Sequence, residues 1–148
     1  MKATELRIGN WVEIQGLESK IILLDTEGCI CENEYCEDFE NNNITQNLQP
    51  IPLTEEWLER FGCKKQTSSA KGIGEFDWYE LPNGMDLVWV LSSKCWVGIE
   101  TVESVTIKHV HQLQNLYFAL AGEELNQNKE DAQKRRFAIY KRTARGTQ

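Results

Sequence analysis

The chain has 148 residues, 41% of them hydrophobic and 26% charged, with a formal net charge of −7, proportions that suit a single soluble globular domain. No apolar run comes near the roughly 20 residues of a membrane helix, and the run Ile21-Ile22-Leu23-Leu24 reads as a buried strand. Charge is unevenly spread: residues 1–56 hold twelve acids against three bases, net −9, and residues 127–148 hold seven bases against two acids, net +5. An acidic body repels polyanions while a basic tail attracts them, so the body is not expected to offer a nucleic-acid groove.

In chain order, MKATELRIGN carries Glu5 and Arg7 where an export signal would be apolar, which predicts a cytoplasmic location with reduced thiols. Apolar residues alternate over Leu6–Ile8 and again over Val12–Ile14, with Gly9-Asn10 as a turn or bulge between them. Strands from Lys20 to Leu24 and around Gly28–Cys31 complete an opening meander, a bent sheet of the partial-barrel kind. Residues Glu32 to Asn47 are acidic and then rich in asparagine, a surface loop or weak edge strand.

Pro52-Leu53-Thr54 introduces a helix from Glu55 to Phe61. Thr54 is a competent N-cap, Glu55 and Glu56 favour the positive first turn, and Gly62 supplies the left-handed stop. The polar stretch KKQTSSAKGIGE then reads as flexible. Strands follow at Phe76–Leu81, Met85–Leu91 and Cys95–Ile99, the first two joined by Pro82-Asn83-Gly84. The continuous apolar run Val88-Trp89-Val90-Leu91 suggests that both faces of its strand are covered. A further strand, Val105–Val110, leads into HQLQNLYFAL. There Leu113, Leu116, Tyr117 and Leu120 recur at helical spacing before Gly122, and predict a buried stripe. His111, Gln114, Asn115 and Phe118 are expected on the outer side, so Gln114→Ala should be nearly silent.

Three stretches, LRIGNWV, PIPLTEEWLERFG and VHQLQNLYFALAGEEL, resemble in content and order a family of small uncharacterised proteins from Bacteroides genomes, prophages and phages. The resemblance covers roughly residues 5–125. It implies a mobile-element origin and a cytoplasmic setting, and carries no activity, cofactor or catalytic residue. The cysteine cluster and the basic extension depart from the family's pattern.

Each candidate for chemistry has a plainer competitor. Cys29-x-Cys31-x4-Cys36 has a metal-like look, but zinc wants four ligands and the usual paired knuckles are absent, so core cysteines and no metal are expected. His109-x-His111 has no partner nucleophile or carboxylate at recognisable spacing, and no catalytic residue is assigned. Gly72-x-Gly74 lacks the rest of a phosphate loop. The acidic run at Glu32–Glu40 reads as a solvated edge or as a surface for a basic partner. Trp78, Trp89 and Trp96 lie on consecutive strands. If they line one face they form an aromatic pocket for a planar ligand such as a nucleobase; otherwise they fill the core. Arg135, Arg136, Lys141 and Arg142 in the tail are the candidate partner contacts.

The expectation is therefore an α+β domain over residues 1–125: a bent antiparallel sheet with two short helices, followed by a basic extension over 126–148. Its function is read as non-enzymatic binding of a host or phage protein or of a second copy of itself, as a homo-oligomer, without cofactor. The alternative is an anti-defence protein that sequesters a small nucleotide signal. Neither membrane nor nucleic acid is an expected partner.

Overall fold

The structure, a computed structural model, describes residues 3–24, 29–33, 39–41, 48–71, 74–90, 94–98 and 105–128. Pairing starts at a two-residue hairpin. Gln15 and Gly16, with φ of 52° and 82°, turn the chain between β1 (Trp11–Ile14) and β2 (Leu17–Leu24), since two successive positive φ values match the twist of the flanking strands. Antiparallel β3 (Cys29–Asn33) and β4 (Phe39–Asn41) extend the sheet on one side and β5 (Leu48–Gln49) on the other, in the order β4-β3-β2-β1-β5.

A register shift between Ile21 and Leu23 breaks the β2–β3 ladder, as a bulge does. It also breaks up the expected buried run, because Ile21 is fully buried while Ile22 and Leu23 are exposed. The Leu6–Ile8 alternation forms no strand. Ala3–Glu5 is a 3₁₀ turn, and Asn10 Oδ1 accepts from the Arg7 N–H at 2.8 Å, while Gly9 takes a φ of 94°.

The chain then crosses to α1 (Glu55–Arg60). The Thr54 hydroxyl accepts from the Trp57 N–H at the helix start, and Gly62 with φ of 76° ends the turn. The next strands, β6 (Lys64–Ala70), β7 (Gly74–Glu80), β8 (Asp86–Val90), β9 (Cys95–Gly98) and β10 (Thr106–Ile107), form a second antiparallel sheet in the order β10-β9-β8-β7-β6. The stretch read as flexible is thus mostly β6, paired with β7 from Lys64↔Glu80 to Ala70↔Gly74. On β8 only Leu87 is fully buried: Trp89, on the same face, is 39% exposed, and Val88 and Val90 on the other face are half-buried, so neither face is wholly covered.

The α+β class stands, with the strands divided between two antiparallel sheets. One core joins Trp57 and Leu58 of α1, Tyr79, Leu87, Trp96 and Ile107 of the second sheet, and Val110, Leu113 and Tyr117 of α2 (Val110–Ala121). A smaller core holds Val12, Ile14, Ile21, Cys29 and Cys31 in the first sheet.

Helix α2 buries a different arc from the one its leucines suggest. Val110, His111, Leu113, Gln114 and Tyr117 are buried, Leu116 is half-buried and Leu120 is 56% exposed. The reason lies in what its polar side touches. Gln114 Oε1 accepts from the Trp11 N–H at 2.9 Å, and its Nε2 donates to the Gly9 carbonyl at 3.0 Å and the Leu125 carbonyl at 3.4 Å. Asn115 Nδ2 donates to the Glu5 carbonyl at 2.7 Å, and its Oδ1 accepts from Asn10 Nδ2 at 3.0 Å. The amide side of the helix therefore ties the N-terminal segment to the rest of the molecule. Leu125 belongs to the larger core and the Asn128 N–H donates to the Arg60 carbonyl at 2.8 Å. Nearly all of the 126–148 extension lies outside the described residues. No described helix is long and apolar enough to cross a membrane.

Candidate functional site

Adjacent strands place two of the three candidate tryptophans side by side. Trp89 on β8 is the register partner of Trp96 on β9, and their ring centroids lie 5.3 Å apart at 59°. Trp96 is fixed from below: Tyr79 meets it edge-on at 5.5 Å, and its Nε1 donates to the Leu53 carbonyl at 3.1 Å. Leu53 in turn donates its N–H to the Lys108 carbonyl at 2.9 Å, so the segment entering α1 is bound to the strand side of α2. Trp89 is held less tightly and keeps one side in solvent, being 39% exposed.

Between these rings and the start of α1 lies an open cleft of about 230 Å³, lined by Leu53, Thr54, Glu55, Trp89 and Trp96. Among the described residues its one charged lining residue is an acid. Glu55 Oε2 accepts from the Tyr79 hydroxyl at 2.9 Å and from Lys65 Nζ at 3.3 Å. Lys65 is shared, because its Nζ also lies 2.9 Å from Asp77 Oδ2. Asp77, with Lys65 and the Thr67 hydroxyl donating to it, is held below the usual carboxylate range, and Lys65 is held above its own. Burial and then the Glu55 bond push the Tyr79 phenol up to about 12. The trio Glu55, Asp77 and Lys65 therefore keeps one net negative charge beside an aromatic wall.

Trp78 is not part of this wall. Its register partner is Val88, one residue out of step with the Trp89–Trp96 pair, which puts it on the opposite face of the sheet. There its Nε1 donates to Ser68 Oγ at 3.4 Å. The expectation of three tryptophans on one face is corrected to two, because successive strand positions face opposite sides. Thr54 and Glu55 entered the sequence reading only as a cap and a first-turn acid. Their positions four and five residues after Pro50 gave no sign that they would border Trp89.

The remaining candidates divide between placed and unplaced. Arg135, Arg136, Lys141 and Arg142 lie outside the described residues, as do Cys36 and most of the acidic run Glu32–Glu40. Cys29 and Cys31 share a face in the small core with Sγ atoms 3.4 Å apart, and burial pushes the Cys31 thiol up to about 12. Among the described residues no group of three or more His, Cys, Asp or Glu side chains is arranged to hold a metal ion. His109 and His111 stack nearly parallel, centroids 5.7 Å apart at 9°. Comparison with protein families, with curated proteins and with solved structures finds no match to this chain.

Proposed function

We propose that this protein is a non-enzymatic binding module, cytoplasmic and of the phage or prophage origin its three motifs imply, whose Trp89–Trp96 cleft grips an arginine or lysine side chain of a partner protein. The observation that carries this reading is the pairing of an indole wall with the Glu55 carboxylate in one cleft. A cation over a tryptophan face gains about 0.5–2 kcal/mol, and guanidinium adds stacking and a fork that suits a carboxylate.

Size and charge rank the alternatives. At about 230 Å³ the cleft is below the roughly 300–1,000 Å³ usual for drug-sized ligands, and suits one side chain better than a whole nucleotide. A phosphate about 4 Å from a carboxylate meets repulsion of about 4 kcal/mol at an effective dielectric of about 20. Lys65 offsets little of it, since Asp77 already shares its charge. Buried thiols such as Cys63, pushed up to about 12 by burial, are poor nucleophiles, which supports binding over catalysis.

The test is a titration with N-acetylarginine amide, read by tryptophan fluorescence, beside a parallel titration with AMP. Saturable quenching by the arginine amide, abolished by Trp89→Ala and weakened by Glu55→Gln, is the expected result. A response to AMP alone would instead favour the nucleotide-sequestering reading, and silence to both would remove the cleft as a site.

A further inference from the structure

A second cavity, of about 290 Å³, opens beside the start of α2 and shares no lining residue with the tryptophan cleft. Glu5, Val105, Ile107, His111 and Gln112 are among its walls. His111 is the anomaly. It is 2% exposed, and neither Nδ1 nor Nε2 has a hydrogen-bond partner among the described residues. Buried polar side-chain atoms are overwhelmingly paired, so an unpaired imidazole in the wall of a cavity calls for a partner.

The neighbours narrow what that partner is. Asn115 is spent on Asn10 and the Glu5 carbonyl, and Gln112 Oε1 on the backbone N–H groups of Lys108 and His109. That leaves the Gln112 amide hydrogens as donors, the Glu5 carboxylate as an acceptor at the exposed rim and the Thr106 hydroxyl, which can do either. Burial first, and then the stacked His109, hold His111 below the ordinary histidine range, so its ring is neutral and offers one donor and one acceptor. An anion brings acceptors only and faces Glu5. An ammonium brings donors only and leaves the imidazole N–H unpaired. A hydroxyl is the simple group that both gives and accepts, and several of them also satisfy Glu5 and Gln112. At about 290 Å³ the cavity sits just under the roughly 300–1,000 Å³ of drug-sized ligand sites and has room for a pentose, and Val105 and Ile107 supply an apolar wall for its carbon face.

We propose that this cavity binds a small uncharged polyhydroxylated ligand, a pentose or a compound that carries one, through His111, Glu5 and Gln112. The probe is D-ribose, added to the full chain with ¹⁵N-labelled histidine and followed through the ring-nitrogen signals of His111. Saturable shifts of both nitrogens are expected, with roughly tenfold weaker binding in Glu5→Gln, where a hydrogen bond to a charge becomes one to a neutral amide. Glu5 is exposed, so this variant leaves the core intact. Uridine in a parallel titration separates the sources: binding tighter than ribose assigns a nucleoside, and weaker binding assigns the free sugar. Ring signals that ribose leaves unmoved overturn the proposal, as do shifts produced by inorganic phosphate or n-butylamine in place of ribose. A ribose response that Glu5→Gln leaves unchanged overturns it too, because Glu5 is the second contact on which the site rests.

Discussion

Gln114→Ala tests the way this fold is held together. Its amide touches three backbone groups from two distant segments: the Trp11 N–H and Gly9 carbonyl of the N-terminal region, and the Leu125 carbonyl beyond α2. Truncation leaves those groups without a partner at a position that is 1% exposed. A buried donor or acceptor left unpaired costs about 1–3 kcal/mol. The Leu125 contact, at 3.4 Å, is long and adds little, and the half-buried Trp11 edge admits some water. Two groups at the lower end, with a small cavity, place the loss at about 2–4 kcal/mol, a large part of the roughly 5–15 kcal/mol that holds a domain together. Urea unfolding measures it, with Leu120→Ala as the control. Leu120 is 56% exposed, and its truncation should cost under about 0.5 kcal/mol. A loss for Leu120→Ala larger than that for Gln114→Ala would show that α2 turns its leucine side inward, and a small loss for Gln114→Ala would show that the amide ties are not holding the N-terminal segment.

The two histidines make stability depend on pH. Burial is the first cause holding both below their ordinary value of 6.5. Below that pH the unfolded chain takes up protons that the folded chain refuses, so stability is full above it and is lost as pH falls through 6.5 toward the folded values. Urea midpoints at about pH 7.5 and 5.5 should show the fall, with a smaller one in His111→Gln. Gly9→Ala should cost about 1–2 kcal/mol for its left-handed backbone alone, and its Cβ would also come within 3.3 Å of Glu124 Oε2, the carboxylate that pairs with Arg7 at 2.7 Å. A lower thermal midpoint with unchanged circular dichroism at room temperature is the check. The basic extension is complementary to the acidic first third of a second copy, and closed dimers are the commonest assembly. Light scattering should show a dimer that weakens as salt rises and a monomer once residues 129–148 are deleted; unchanged mass in the truncated chain removes the tail from the interface.

What was legible depended on how local the determinant is. The α1 helix could be read because Thr54, Glu55, Glu56 and Gly62 act within a turn of their own positions, and the structure uses each where expected. Strand β6 could not, because it is an exposed edge with no apolar alternation. It is ordered by pairing, with Thr67 Oγ1 donating to Asp77 at 2.8 Å and Lys65 bridging to the same carboxylate. The buried arc of α2 was misjudged for a related reason. A glutamine is at home in a core only when backbone groups from elsewhere need its amide, and helical periodicity carries no word of Gly9 or Leu125.

The tryptophans turn on a single residue of register. A two-residue loop at Asn83-Gly84 would pair Pro82 with Met85, and would carry Trp78 directly opposite Trp89 on the same face as Trp96. The observed loop is one residue longer: the Leu81 N–H donates to the Met85 carbonyl at 2.8 Å, and Trp78 lies opposite Val88. The cause is in the sequence. Proline has no N–H to close the shorter loop, so the closing bond falls to Leu81 and Pro82 moves into the turn. A one-residue shift sends every side chain of a strand to the other face. Pro82 thus removes Trp78 from the cleft and leaves its aromatic wall to Trp89 and Trp96. Replacing Pro82 with a residue that can donate makes the shorter hairpin accessible. Its adoption would show as Trp78 entering contact with Trp89, and as the loss of the Leu81 amide's protection from hydrogen exchange.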